Sequence, residues 1–166
     1  MHKAFVAIGG NLIPEGYDTL QDVMDDALAT IDALPDISVI RCSKWFETAP
    51  VPISDQPWYL NAVFEVITPL EAKVLLAKLH EIEASFGRVR NIRNEARILD
   101  LDVIDYQGEI HDDETICLPH PRMHLRAFVL LPIQDLDPAW QHPIINKSVT
   151  QLIYEMPSGQ DIRLKS

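Results

Sequence analysis

The order of strand-like and helix-like segments in the first 106 residues constrains the fold more than any other feature. Apolar residues recur at helical spacing over 20–31 and 75–86. Apolar or alternating segments of strand length cover 5–8, 37–46, 59–67 and 98–106. The resulting order β-α-β-β-α-β predicts an α+β fold, with a ferredoxin-like antiparallel sheet that carries both helices on one face. The residues after 106 predict a C-terminal hairpin and a helical extension.

The predicted helices begin at recognisable capping residues. Asp18 and Gln21 have the spacing of a capping box before the first helix. Thr68 is expected to cap the second helix in the same way. Ser148 and Gln151 form the corresponding pair before a final helix over 148–156. The sequence contains no repeat and no linker that would divide the 166 residues, so we expect one domain.

Charge is unevenly distributed along this acidic chain, which has a formal net charge of −11. Residues 1–87 contain thirteen acidic and five basic residues. Six of the eight arginines lie between positions 88 and 126, namely Arg88, Arg90, Arg93, Arg97, Arg122 and Arg126. Such a cluster in an acidic protein suits a small polyanion better than a nucleic acid. The alternative is an ordinary solvated basic loop.

Composition also indicates a location and a redox environment. The sequence contains no apolar run near the roughly 20 residues needed to span a membrane, and its N-terminus lacks a secretory h-region. The two cysteines, Cys42 and Cys117, give no disulfide framework. We therefore expect a cytoplasmic protein that does not bind membranes.

Asp100 and Asp102 are the strongest chemical signal in the sequence. On a strand they share one face, with Cα atoms roughly 6.6 Å apart. Such carboxylates can hold Mg²⁺, which takes its other ligands from water and phosphate oxygens. Four arginines within the twelve residues before Asp100 would contact those phosphates. The alternative is an amphipathic strand whose polar face carries two acids.

Another segment is typical of a site for a flat heteroaromatic ring. The loop over 48–57 contains three prolines, which stiffen it and fix its backbone polar groups. Tyr59 and Asn61 follow on one face of the next strand, where a ring can stack and an amide can pair. The alternative is that Tyr59 is a core aromatic residue and Asn61 lies at a strand edge.

Other signals in the sequence are weaker. Gly9 and the residues after it contain no dinucleotide fingerprint and are best interpreted as a tight turn, and no Walker loop is present. Cys117, His120 and His124 could suggest zinc, but no convincing fourth ligand accompanies them. His120 and Arg126 are better interpreted as hydrogen-bond donors to phosphate.

Several segments together resemble the 6-hydroxymethyl-7,8-dihydropterin pyrophosphokinase family of folate biosynthesis, over nearly the whole chain. They are Gly9-Gly10-Asn11-Leu12, Thr48-Ala49-Pro50-Val51, Gln56-Pro57-Trp58-Tyr59-Leu60-Asn61-Ala62, Gly87-Arg88-Val89-Arg90, Arg97-Ile98-Leu99-Asp100-Leu101-Asp102 and Leu118-Pro119-His120-Pro121-Arg122-Met123. The resemblance implies one pterin pyrophosphokinase domain over 1–166, with ATP and 6-hydroxymethyl-7,8-dihydropterin as substrates. The pterin hydroxymethyl oxygen would attack the β-phosphorus of ATP and release AMP. A monomer is expected.

The resemblance also implies roles for individual residues. Asp100 and Asp102 would hold two Mg²⁺ ions and, with Arg88 and Arg97, form the catalytic set. The residues implied to contact ATP are His80, Glu83, Arg88, Arg97, Val103, His120 and Arg126. The residues implied to bind the pterin are Thr48, Ala49, Pro50, Val51, Tyr59, Asn61 and Phe128, with the ring between Tyr59 and Phe128.

The chain departs from the family pattern at a few positions. Arg93-Asn94-Glu95-Ala96 replaces a tryptophan-glycine-proline segment of a loop that acts as a lid in the family, and it is one residue shorter. Gly10, Cys117 and Pro121 replace residues that are commonly serine, threonine and tyrosine. One alternative function is therefore a pterin or nucleotide sensor that keeps the pocket but has lost an effective lid. A second is an RNA-binding module on the ferredoxin-like sheet, against which the net charge and the lack of aromatic-rich strand motifs argue.

Overall fold

The computed structural model describes residues 1–50, 52, 54–87 and 97–166. Within these residues the chain forms eight strands and four α-helices. The strands are β1 His2–Gly10, β2 Ser38–Cys42, β3 Phe46–Thr48, β4 Tyr59–Thr68, β5 Asp100–Tyr106, β6 His111–Asp112, β7 Cys117–Leu118 and β8 Ile162–Leu164. The helices are α1 Leu20–Asp32, α2 Ala72–Ser85, α3 Ala127–Leu136 and α4 Val149–Glu155, with a 3-10 turn at Met123–Leu125.

The main sheet has the strand order β5-β1-β4-β3-β8, and β2 also pairs with β4. Every pair of neighbours in it is antiparallel. The predicted ferredoxin-like α+β fold is thus confirmed, and β6 and β7 form the predicted hairpin. Because β1 runs opposite to both its neighbours, its C-terminal end lies beside the first residues of β4 and β5.

The single strand predicted over 37–46 is wrong, because the chain there forms β2 and β3 with a break between them. Ser43 fills the break: its backbone N–H donates to the carbonyl of Val63 at 2.9 Å. Its hydroxyl also accepts the N–H of Val63 at 3.0 Å. The N–H of Lys44 donates to the carboxylate of Asp135, at 2.8 Å. A side chain thus replaces one rung of the ladder, which alternation in the sequence cannot reveal.

Two of the three predicted helix caps differ from the structure. The α1 cap is Thr19, not Asp18, and its hydroxyl accepts the N–H of Asp22 at 3.1 Å. Thr68 is the last residue of β4, and its hydroxyl donates to the carbonyl of Asp36 at 2.6 Å, so α2 begins only at Ala72. The Ser148 cap of α4 is confirmed by its bond from the N–H of Gln151.

The two predicted helices, α1 and α2, lie on one face of the sheet as expected, and helices after residue 106 cover the other face. The core under α1 and α2 takes alternate residues of β1 and β4, including Val6, Ile8 and Phe64. The opposite core, under α3 and α4, takes the intervening residues, including Phe5 and Val63. The C-terminal extension is therefore the second helical layer. Among the residues described, no helix is long and apolar enough to cross a membrane.

Candidate active site

A cleft of about 740 Å³ opens on the α3 side of the sheet, where β1 ends and β4 and β5 begin. Its floor is formed by alternate residues of these three strands. Its walls come from the loop after β3 and from two segments, 122–128 and 157–160, that meet at the start of α3. The residues that carry its chemistry are Thr48, Tyr59, Asn61, Arg97, Asp100, Asp102, Arg122, Arg126 and Phe128. Most of the residues predicted from charge and stacking are therefore brought to one place.

Asp100 and Asp102 lie on the floor of the cleft, on one face of β5 as their spacing predicts. Asp100 pairs with Gly9 and Asp102 with Ala7 across the ladder. The Arg97 guanidinium donates to Asp100 Oδ2 at 3.0 Å, and both side chains remain partly exposed. Among the described residues, no group of three or more carboxylate, histidine or cysteine side chains is close enough to hold a metal. Of the side chains described, these two carboxylates alone are therefore candidate ligands for a cation at this place.

Among the described residues, three arginines line the cleft with these carboxylates, namely Arg97, Arg122 and Arg126. Arg126 is partly buried, with its guanidinium carbon 5.4 Å from the centre of the Phe128 ring. Burial lowers the pKa of Arg126, and Asp102 opposes that shift. An arginine remains protonated over the whole physiological range. Because the Arg126 guanidinium is partly buried, it is also only partly hydrated, which suits it to an anionic ligand.

His120 lies beside this charged group and is held neutral. Burial, followed by the cation of Arg126, lowers its pKa to about 4. Its Nδ1 atom accepts the N–H of Arg122 at 3.2 Å. The ring proton therefore belongs on Nε2, which makes that atom a neutral hydrogen-bond donor.

Asn61 and Thr48 form a buried polar pair in the opposite half of the cleft. Asn61 Nδ2 donates to Thr48 Oγ1 at 2.7 Å, and the two residues are only 7% and 6% exposed. Asn61 lies in an interior strand, opposite Gly9 on one side and Phe46 on the other. A Cβ atom on Gly9 would lie less than 3.0 Å from Asn61 Oδ1. Because Gly9 has no side chain, the Asn61 amide can lie against β1 at this position. The turn predicted at Gly9 is wrong, since Gly9 is part of β1.

Tyr59 and Phe128 supply the aromatic surfaces of this half. Both line the cleft and are partly exposed, and neither belongs to the buried core. Ala49 also lines it, and Ala49 and Pro50 line a second cleft of about 210 Å³ that adjoins Phe128. The stiffened loop after β3 therefore borders the aromatic pair.

Other predicted site residues lie elsewhere. His80, Glu83, Val103 and His120 are not among the described residues that line the cleft, although His120 lies close to Arg126. Glu83 is 1% exposed, and its carboxylate accepts the N–H of Leu101 at 2.7 Å. Val103 is part of the core under α1 and α2. The predictions for Arg88 and Val51 fall outside the described residues.

The zinc alternative receives no support from the placement of its residues. Cys117 is exposed on β7, whereas His124 packs against His142 with ring centres 5.9 Å apart. The part of the chain that the structure describes does not bring three such side chains together.

Sequence reasoning missed the segment from Pro157 to Gln160, which completes the cleft wall. The Gln160 side chain fixes this segment: its Oε1 accepts the N–H of Ala127 at 2.9 Å, and its Nε2 donates to the carbonyls of Leu125 and Pro157 at 3.0 Å. Proline and glycine in this segment indicate a turn, but no pattern indicates where the turn docks.

The family model described as 7,8-dihydro-6-hydroxymethylpterin-pyrophosphokinase (HPPK) matches residues 5–138. The chain is 34% identical over 155 residues to a 2-amino-4-hydroxy-6-hydroxymethyldihydropteridine pyrophosphokinase of Synechocystis sp., covering 93% of this chain and 76% of that protein. It is 33% identical over 164 residues to the Haemophilus influenzae protein of the same name, with 99% of each chain covered.

A solved structure gives the same fold. Plasmodium falciparum HPPK-DHPS, determined with pteroate, matches 93% of this chain with a TM-score of 0.68 and 12% sequence identity. At that identity the likeness concerns the fold alone. The chain covers 42% of that longer protein.

Proposed function

Because the chain belongs to the 7,8-dihydro-6-hydroxymethylpterin-pyrophosphokinase family, we propose that it transfers pyrophosphate from ATP to 6-hydroxymethyl-7,8-dihydropterin in tetrahydrofolate biosynthesis. One observation carries the proposal: a single cleft contains paired carboxylates and arginines in one half and an aromatic pair with a buried amide in the other. The first half suits a triphosphate and the second a pterin.

In the proposed reaction the pterin hydroxymethyl oxygen forms a bond to the β-phosphorus of ATP. The bond from that phosphorus to the oxygen bridging to the α-phosphate breaks, so that AMP leaves and the hydroxyl proton is released. Such transfers depend on positioning and on neutralising charge rather than on covalent catalysis by the protein. Arg97, Arg122 and Arg126 would bind phosphate oxygens, and the Nε2 proton of His120 would donate to another.

Two Mg²⁺ ions are the proposed cofactor. Asp100 and Asp102 offer hard oxygen ligands on one face of β5, and water and phosphate oxygens would complete the coordination. When bound, the ions would neutralise charge on the triphosphate. Arg88 stays a prediction for this half of the site, as do His80, Glu83 and Val103.

The proposed pterin site lies between the rings of Tyr59 and Phe128. Asn61 Nδ2 already donates to Thr48. The amide oxygen and the remaining N–H of Asn61 would therefore form hydrogen bonds with polar atoms at the edge of the pterin ring. Backbone groups of the loop that starts at Thr48 would supply the other contacts, including the predicted ones of Pro50 and Val51. A monomeric, cytoplasmic protein acting as one domain over 1–166 stays part of the proposal.

The test is AMP formation from ATP and 6-hydroxymethyl-7,8-dihydropterin, with the pterin or Mg²⁺ omitted in parallel. We expect AMP only when all three components are present. Calorimetric binding of both substrates without AMP would support a sensor instead. Tight, salt-sensitive binding of RNA in a filter assay, again without AMP, would support the RNA-binding alternative.

A further inference from the structure

Asn11, the residue after β1, makes side-chain hydrogen bonds in two directions. It is 2% exposed. Its Oδ1 accepts the backbone N–H of Arg97 at 2.8 Å, while its Nδ2 donates to the carbonyl of Pro57 at 3.0 Å and to Gln56 Oε1 at 3.2 Å. Its own backbone N–H donates to the Arg97 carbonyl at 2.8 Å. Both backbone polar groups of Arg97 are therefore bonded to Asn11, and the Arg97 carbonyl also accepts the N–H of Leu12 at 3.1 Å.

The partners of Asn11 lead to opposite halves of the cleft. Arg97 contacts Asp100 on the phosphate side. Pro57 lies two residues before Tyr59, where β4 begins on the aromatic side. Since β4 and β5 are separated by β1, a side chain at the end of β1 is well placed to contact the starts of both strands. Asn11 uses its acceptor toward one of them and its donor toward the other.

We propose that Asn11 is a positioning residue, which holds the phosphate half and the pterin half of the site at the separation that transfer requires. The proposal rests on the proposed function above. Asn11 would contact neither the triphosphate nor the pterin. Asn11 would affect turnover by fixing the backbone of Arg97 on one side and of Pro57, just before β4, on the other. A displacement of about 1 Å between reacting atoms can cost a rate of about a hundredfold, so turnover should be more sensitive than the affinity for either substrate.

The experiment compares Asn11→Ala and Asn11→Asp with a matched control, Thr68→Val. Thr68 is also buried and uses its side chain to bond backbone groups, but at the far end of β4. Its replacement removes comparable hydrogen bonds without touching the cleft. For each variant kcat and both KM values are measured by AMP release, together with the thermal midpoint.

We expect Asn11→Ala to lower kcat by about 10- to 100-fold with each KM changed less than about fivefold. Asn11→Asp keeps the acceptor for Arg97 and loses the donor to Pro57, so it should spare the KM for ATP and raise that for the pterin. Thr68→Val should lower the thermal midpoint without lowering kcat.

Two results would overturn the positioning role: an Asn11→Ala variant with native kcat, or a Thr68→Val variant that loses as much turnover as Asn11→Ala. If Asn11→Ala fails to fold, Asn11→Asp tests the positioning role in its place. An unchanged KM for the pterin in Asn11→Asp would then contradict the proposal. A native chain that forms no AMP would instead overturn the proposed function, and the inference with it.

Discussion

Replacement of Gly9 by alanine should weaken the binding of pterin while leaving the phosphate half of the site usable. The new Cβ would lie less than 3.0 Å from Asn61 Oδ1, the end of a side chain that can rotate away. Rotation would break the 2.7 Å bond from Asn61 to Thr48. With Asn61 rotated, a bound pterin would lose its amide partner, and a polar group left unpaired in a buried site costs about 1–3 kcal/mol, which corresponds to about 5- to 150-fold in affinity.

The assay is calorimetric titration with 6-hydroxymethyl-7,8-dihydropterin in the presence of Mg²⁺ and an ATP analogue that cannot react. Titration with the analogue alone gives the nucleotide affinity, and thermal melting gives the stability. We expect the pterin affinity to fall within the range above and the nucleotide affinity to change less than twofold.

Gly10→Ala is the matched comparison, because its Cβ would lie less than 3.0 Å from the backbone carbonyl oxygen of Ile98. A backbone carbonyl can move away only if the chain that leads into β5 shifts with it, so this variant should lose more thermal stability than Gly9→Ala. Equal losses of pterin and nucleotide affinity in Gly9→Ala, or native pterin affinity, would refute the link between Gly9 and the Asn61 amide.

Three further predictions concern the charged and aromatic residues of the cleft. Alanine at Asp100 or Asp102 should reduce AMP formation at least about a hundredfold with an unchanged circular dichroism spectrum, and retained activity would contradict the metal assignment. Tyr59→Ala should weaken the pterin by about 5- to 150-fold, since stacking is worth about 1–3 kcal/mol, and an equal loss for ATP would argue against stacking. The lowered pKa of His120, about 4 against 6.5, means that the unfolded chain takes up a proton that the folded chain excludes. The free energy of unfolding should therefore fall between pH 6.5 and 4, by up to about 1.4 kcal/mol per pH unit, and urea titrations of His120→Gln should lack this contribution.

The sequence is sufficient for features that depend on local periodicity. The alternation that puts Asp100 and Asp102 on one face holds because β5 pairs in unbroken register with β1 from Asp100 to Val103. Ser148 caps α4 because its partner Gln151 is three residues away. Such features involve short separations along the chain, where residue type and spacing fix the geometry. The type and order of the first elements were predictable for the same reason.

Features that depend on distant partners could not be predicted in this way. Ser43 divides the expected strand because its hydroxyl meets Val63, twenty residues away. Gly9 is explained by the side chain that lies over it rather than by a turn, since Asn61 occupies the space of a Cβ. In both cases a tertiary contact decides the outcome, and no local pattern records it.

The cleft wall formed by residues 157–160 has a consequence for the timing of folding during synthesis. The strand that follows this wall, β8, pairs with β3, and the Arg163 side chain donates to Glu47 across 116 residues of sequence. A nascent chain can form β1 to β5 while this last strand is still within the ribosome. At about 5–20 residues per second, residues 107–156 take several seconds to synthesise, so the aromatic half of the cleft gains this wall only well after β1 to β5 can form.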